Sequence, residues 1–133
     1  MPTAALSGQF LRFCLVGGIG FVVDAGSLWL LIDYGGMGLL SGRVVSYLIA
    51  ATVTWALHRH FTFPHGRNSP KGRQWVRFVV VNAVGAGINY GVYALLVLNI
   101  AAFAQWPVLA VAAGSVVALA FNFLASRHFV FRV

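Results

Sequence analysis

Apolar positions run nearly unbroken through four stretches, residues 11–32, 39–58, 76–98 and 107–126, and polar positions gather between them. Each stretch reaches the ~20 residues that a helix needs to cross a ~30 Å hydrocarbon layer. Strands of a membrane barrel would alternate in side-chain character over about ten residues. These runs are continuous and about twice that long, and helices are the other structure that satisfies its own backbone in lipid. The pattern predicts an all-α membrane protein with four transmembrane helices in a single domain over residues 1–133.

The chain also resembles itself. A shift of 65 residues lays Arg12-Phe13 on Arg77-Phe78, Gly20 on Gly85, Asp24 on Asn89, Gly26 on Gly91 and Leu30-Leu31 on Leu95-Leu96. A shift of 68 carries Arg59-His60-Phe61-Thr62-Phe63 onto Arg127-His128-Phe129-Val130-Phe131. The boundaries that follow are a first repeat over 10–63, a basic linker over 64–75 and a second repeat over 76–133. Each repeat holds two spans, so both enter the membrane from the same side and are parallel repeats.

At the second shift Gly42, Ser46, Ala50, Thr54 and His58 overlie Ala110, Gly114, Ala118, Asn122 and Ser126, each four residues from the last. That spacing puts small residues on one helical face, where backbones approach closely. The second and fourth spans are expected to pack tightly through these faces, and Ala83, Gly87 and Gly91 give the third span a similar stripe. Trp29, Tyr34 and Trp106 at one set of span ends, and Trp55 and Trp75 at the other, fit interfacial belts. Phe61, Phe63, Phe129 and Phe131 read as further anchors. The Gly-, Pro- and Ser-containing stretch from Pro64 to Gln74 reads as a flexible linker.

Composition agrees with lipid as the solvent. Of 133 residues 60% are hydrophobic and 8% charged, against about 25% charged in soluble domains. Nine basic residues oppose two acids, Asp24 and Asp33, for a net charge of +7. The basic residues sit at span ends instead of forming a basic face, which argues against nucleic acid as partner. Arg12, the group Arg59, Arg67, Lys71, Arg73 and Arg77, and the pair Arg127 and Arg132 flank spans; Arg43 alone does not. The positive-inside rule then puts both termini and the linker in the cytoplasm. Residues 1–9 lack the features of a cleaved signal, so the first span is expected to remain as an anchor. Cys14, the single cysteine, reads as an apolar filler.

Two charges fall inside the spans. Asp24 lies eight residues before the end of its stretch, about 12 Å below the boundary. A lone carboxylate there costs at least ~2.5 kcal/mol, so it calls for a partner. Arg43 comes to a similar depth, and the equivalent positions in the second repeat are Asn89 and Val111, so both charges are absent there together. Two roles fit the pair. Asp24 and Arg43 neutralise one another so that the hairpin inserts, or Arg43 also meets a phosphate or sugar oxygen in a cavity while Asp24 orients it or carries a proton. Asn82, Asn89 and Asn122 are candidates to line the same cavity, because amides offer sugar hydroxyls both donors and acceptors. Arg12, Arg59, Arg77 and Arg127 form a symmetric set at the cytoplasmic ends, read as topology signals or as a ring that captures anionic headgroups.

Enzyme signatures are missing: the sequence has no phosphate-binding glycine loop, metal cluster or pair of catalytic carboxylates. His58, His60, His65 and His128 read as interfacial side chains. No catalytic residue, metal or cofactor is expected.

Arg12-Phe13 leading into Val16-Gly17-Gly18 and Val23-Asp24, the closing Arg59-His60-Phe61-Thr62-Phe63, and the partial copies Arg77-Phe78, Asn122-Phe123 and Arg127-His128-Phe129-Val130-Phe131 together resemble the GtrA-like family over residues 10–133. That family often has Asn before Phe near the end of the second span, where this chain has Thr54-Trp55. The resemblance implies a small multi-pass protein of the bacterial cytoplasmic membrane that flips polyprenyl-phosphate-linked sugar for surface polysaccharide synthesis. The candidate substrate-binding set is Asp24, Arg43, Asn89, Asn122, Arg12, Arg59, Arg77 and Arg127. Because four spans enclose little space, a homodimer or larger assembly is expected. The alternatives are a membrane anchor for a glycosyltransferase partner, resting on the basic linker, and a small proton-coupled exporter of cations. Arg43 beside the one intramembrane acid argues against the exporter.

Overall fold

The computed structural model describes residues 3–132, without the side chains of residues 3–5 and 65. Expectations that rest on residues 1, 2 and 133, or on the His65 side chain, lie outside the described residues. Those described form helices and turns with no strand: α1 (Thr3–Asp33), α2 (Leu39–Leu57), α3 (Lys71–Asn99), the short α4 (Ala101–Gln105) and α5 (Pro107–Ala125). Four of these, α1, α2, α3 and α5, are long and apolar enough to cross a membrane, so the chain is a multi-pass membrane protein. Lipid, as solvent, explains why Phe21, Val22, Leu40, Leu98 and Val108 all lie on the surface.

Helix ends follow local chemistry. Gly36, at φ 66°, makes the turn between α1 and α2 in a backbone region that other residues enter at a cost. Pro107 opens α5, where its missing N–H costs nothing. α3 starts at Lys71 and not at 76, because Lys71, Arg73, Gln74 and Arg77 are good helix formers that a search for apolar runs passes over.

α1 packs along α2, and α3 along α5, as two antiparallel hairpins. The small-residue stripes are buried at Gly42, Ser46, Ala50, Ala110, Gly114, Ala118 and Ser126. They face α1 and α3, each within its own hairpin: Gly42 sits against Leu28 and Ile32, and Gly114 against Asn89. This corrects the expected pairing of the second span with the fourth. On α3, Ala83 and Gly87 are exposed, and Gly87 and Gly91 have no neighbour where a Cβ would project. The close approach is made instead by Gly85, where a Cβ would collide with the Asn122 amide.

Both Arg-His-Phe-x-Phe segments fold as π turns, His58–Thr62 after α2 and Ser126–Val130 after α5. The next residue closes each one: Phe63 N–H donates to His58 C=O at 2.7 Å and Phe131 N–H to Ser126 C=O at 2.8 Å. The hairpins meet here. Phe13, Phe63, Phe78, Phe123, Val130 and Phe131 form a buried cluster, with the His58 ring stacked on Phe13 at 4.5 Å and 12°. Aromatic pairs of this kind contribute about 0.5–1.5 kcal/mol each beyond their burial. Three expectations change accordingly. Phe63 and Phe131 are core residues, while Phe61 and Phe129 remain exposed as anchors. His58 is 2% exposed and is no interfacial side chain.

The linker is folded into a turn. Pro64–Asn68 is a 3-10 turn, and Arg59, itself 5% exposed, holds it. Its guanidinium donates to the Arg67 carbonyl at 2.5 Å, the Ser69 carbonyl at 3.2 Å and Gln74 Oε1 at 2.6 Å. Gln74 Nε2 donates to the Gly66 carbonyl at 2.9 Å, and Trp55 Nε1 donates to Gln74 Oε1 at 3.1 Å. Every acceptor is neutral, so this charge is stabilised by oriented carbonyl dipoles.

Candidate functional site

The four spanning helices leave between them a cavity of about 290 Å³. Its wall is part apolar, with Phe13, Phe21, Phe78 and Leu119, and part polar, with Asp24 from α1, Tyr47 and Thr54 from α2, His58 from the first π turn, Asn82 from α3 and Asn122 from α5. Gly17 and Gly20 also lie on the α1 side. A Cβ on Gly20 would strike the Thr54 methyl group, so glycine here sets how closely α1 and α2 approach beside the cavity.

Asp24 and Arg43 meet. Arg43 Nη1 donates to Asp24 Oδ1 at 2.5 Å and to Oδ2 at 2.7 Å, and also to Ser46 Oγ at 3.3 Å. One nitrogen makes all three bonds, in place of the two-nitrogen fork of a bidentate pair. The carboxylate borders the cavity, but Arg43 stands behind it and is not part of the wall. The side chains are 23% and 55% exposed, respectively. The pair is therefore reached from the cavity through its negative member.

The other polar side chains differ in how far they are spent. Tyr47 Oη donates across to the Val79 carbonyl at 2.8 Å, tying α2 to α3. Thr54 Oγ1 donates to the Ala50 carbonyl at 2.9 Å, and His58 Nδ1 shares a hydrogen bond with Thr62 Oγ1 at 2.9 Å. Asn82 Nδ2 is held by the Phe78 carbonyl at 2.9 Å. Asn122 Oδ1 is buried without a hydrogen-bond partner among the described residues. A buried, unmatched acceptor costs about 1–3 kcal/mol, and this one is packed against Gly85 of α3.

Of the eight residues expected from sequence, this cavity gathers Asp24 and Asn122, with Arg43 attached through Asp24. Asn89 is elsewhere. It lines a separate groove of about 320 Å³ with Ala86, Tyr90, Tyr93 and Val111, and its amide lies against Gly114. The four arginines have separate partners and surroundings. Arg12 reaches the Phe61 carbonyl and lies over the Phe61 ring, Arg59 is committed to the linker, and Arg127 Nε donates to Gln9 Oε1 at 2.9 Å. Arg77 borders a different groove. Sequence reasoning missed Tyr47, Thr54 and His58. The four-residue stripe did carry Thr54 and His58, but it read as packing, and Tyr47 had no distinguishing context.

A family model described as GtrA/DPMS, transmembrane domain, matches residues 12–132, nearly the whole chain. No curated protein sequence matches it.

Proposed function

We propose a function on one premise, that the chain belongs to the GtrA/DPMS transmembrane-domain family: it carries a polyprenyl-phosphate-linked sugar across the bacterial cytoplasmic membrane. Membership supports a part in polysaccharide or glycolipid biosynthesis. The observation that carries the finer reading is a partly open cavity between four helices, with polar side chains from each of them in its wall while their outer faces are apolar. A sugar phosphate does not cross hydrocarbon unaided because its hydroxyls and charge lose their water. The polyprenyl tail has no such barrier, so the protein need shelter the headgroup alone. At about 290 Å³ the cavity lies at the small end of ligand pockets, ~300–1,000 Å³, which suits one sugar residue better than an oligosaccharide.

In this reading the Asn122 and Asn82 amides, both in the cavity wall, bind sugar hydroxyls, and Asp24, fixed by Arg43, accepts a further one. No bond is made or broken, so the activity is transport and not enzymatic catalysis. The two hairpins act as parallel repeats, with the linker and both termini cytoplasmic in accord with the positive-inside bias. A homodimer fits the exposed Ala83 and Gly87 on α3, whose small size suits close helix approach.

The test is translocation of a short-chain polyprenyl-phosphate hexose in proteoliposomes holding only the purified protein. The wild-type chain is expected to flip it, and Asn122→Leu to lose most of that rate while remaining folded. A wild-type rate no faster than that of protein-free liposomes would reject the proposal.

A second reading, an anchor for a membrane glycosyltransferase, draws on the folded linker, which presents Arg67 and Asn68 on an ordered surface. It predicts that Arg67→Ala with Asn68→Ala abolishes co-purification with such an enzyme. Unchanged co-purification would count against it.

A further inference from the structure

A second polar feature lies outside the cavity, at the π-turn end of α3. Arg77, His128 and Arg132 join Val76, Val80 and Phe129 along a groove of about 590 Å³. Arg77 and Arg132 also border a small cleft of about 30 Å³ that Arg73 shares. The groove is thus apolar along one part and strongly basic at one end.

The arginines at this end fall into two groups. Arg12, Arg59, Arg67 and Arg127 are engaged by the Phe61 carbonyl, the linker carbonyls, the Pro64 carbonyl and Gln9, respectively. Arg73, Arg77 and Arg132 make no hydrogen bond or ion pair among the described residues, and neither acidic side chain is placed to neutralise them. The chain has two acidic side chains: Asp24 is held by Arg43, and Asp33 ends α1 away from the π turns. Three arginines lining one cleft, with no acidic side chain near among the described residues, suit a phosphate ester, whose oxygens match the guanidinium fork. The apolar run that continues from the cleft suits a hydrocarbon chain on that phosphate.

We infer that Arg73, Arg77 and Arg132 bind the phosphate of a polyprenyl phosphate, and that Val76, Val80 and Phe129 receive the first units of its tail. The choice of a polyprenyl lipid rests on the translocation reading above. The groove is then where the carrier docks by its phosphate, a site distinct from the cavity that shelters the sugar.

The test is native mass spectrometry of the purified, detergent-solubilised full chain, titrated separately with a short-chain polyprenyl phosphate, phosphatidylglycerol and inorganic phosphate. The lipid phosphate is expected to bind at least ~10-fold more tightly than phosphatidylglycerol, and inorganic phosphate not to bind measurably. Replacing all three arginines by lysine keeps the charge that sets topology but removes the fork, and should weaken lipid binding about tenfold. Val80→Trp fills the apolar part without touching a charge and should weaken it too. Equal binding of phosphatidylglycerol would overturn the inference in favour of a general anionic-lipid surface, and equal binding of inorganic phosphate in favour of a simple anion site. Undiminished polyprenyl phosphate binding in both variants would also overturn it. The two proposals fail separately. Wild-type protein that binds the lipid at the arginines but does not flip the sugar-linked form rejects translocation alone; flipping that survives with no loss of binding in either variant rejects this site alone.

Discussion

The ring of Phe63 is stacked on the ring of Phe131, with centroids 5.0 Å apart and planes 22° from parallel. Each phenylalanine follows a π turn and closes it through its own N–H, so one contact joins the ends of the two hairpins. Truncating either ring opens a void in a fully buried cluster. Phe63→Ala is expected to lower stability by about 3 kcal/mol, read as a lower thermal midpoint in detergent. Phe61→Ala, whose ring is exposed, should leave that midpoint nearly unchanged. A double-mutant cycle of Phe63 and Phe131 should return a coupling of about 0.5–1.5 kcal/mol; zero coupling would mean that the stack is incidental.

The Asp24–Arg43 pair predicts a pattern of damage and repair. Asp24→Asn leaves a guanidinium in the membrane without a counter-charge, at a cost of ~2.5 kcal/mol or more on insertion scales. Arg43→Val strands the carboxylate in the same way. The double variant carries the residue types of the second repeat, Asn89 and Val111, and should recover most of the folded yield that each single change loses. Transport should stay low in all three, because the cavity has lost its acidic acceptor. Yield in washed membranes and flipping in proteoliposomes separate the two effects.

Gly85 and Gly87 lie two residues apart on α3 and should respond in opposite ways to the same added methyl group. Gly85→Ala drives a Cβ into the Asn122 amide and should cost about 1–3 kcal/mol as an overpacked contact. Gly87→Ala meets open space and, as a better helix former, should be neutral or slightly stabilising. Thermal unfolding of the two variants side by side decides it; equal effects would mean that α3 and α5 do not meet at Gly85.

Arg59→Leu removes the donors that hold the linker carbonyls. Trypsin cleavage after Arg67 is then expected to rise roughly tenfold, since local opening exposes the bond, with helical content by circular dichroism little altered. Wild-type cleavage as fast as that of the variant would argue that the linker is open in solution.

The helices and the intramembrane ion pair were legible in the sequence because lipid leaves so few alternatives: a run of that length must be helical, and an acid at that depth must find a cation. Arg43 was the cation at matching depth. The π turns were not legible. Whether Phe61 or Phe63 points inward depends on one extra residue per turn, and the motif reads the same either way. His58 and Arg59 look like cytoplasmic-end polar residues for the same reason. The single-cavity reading of Asn82, Asn89 and Asn122 failed at Asn89, because the hairpin contact between Asn89 and Gly114 turns that amide away from the other two. The start of α3 was hidden because its first turns are basic and helical at once.

The grip of Arg59 on the linker also sets an order of assembly. Its acceptors lie at Arg67, Ser69 and Gln74, all later in the chain than the hairpin that Arg59 completes. During synthesis the first hairpin can enter the membrane as soon as α2 has emerged, but its end cannot be sealed until the opening turns of α3 exist. The first half therefore waits for the second. A chain halted before Gln74 would leave the guanidinium with the Arg67 and Ser69 carbonyls but without Gln74 Oε1, the side-chain acceptor that ties it to α3.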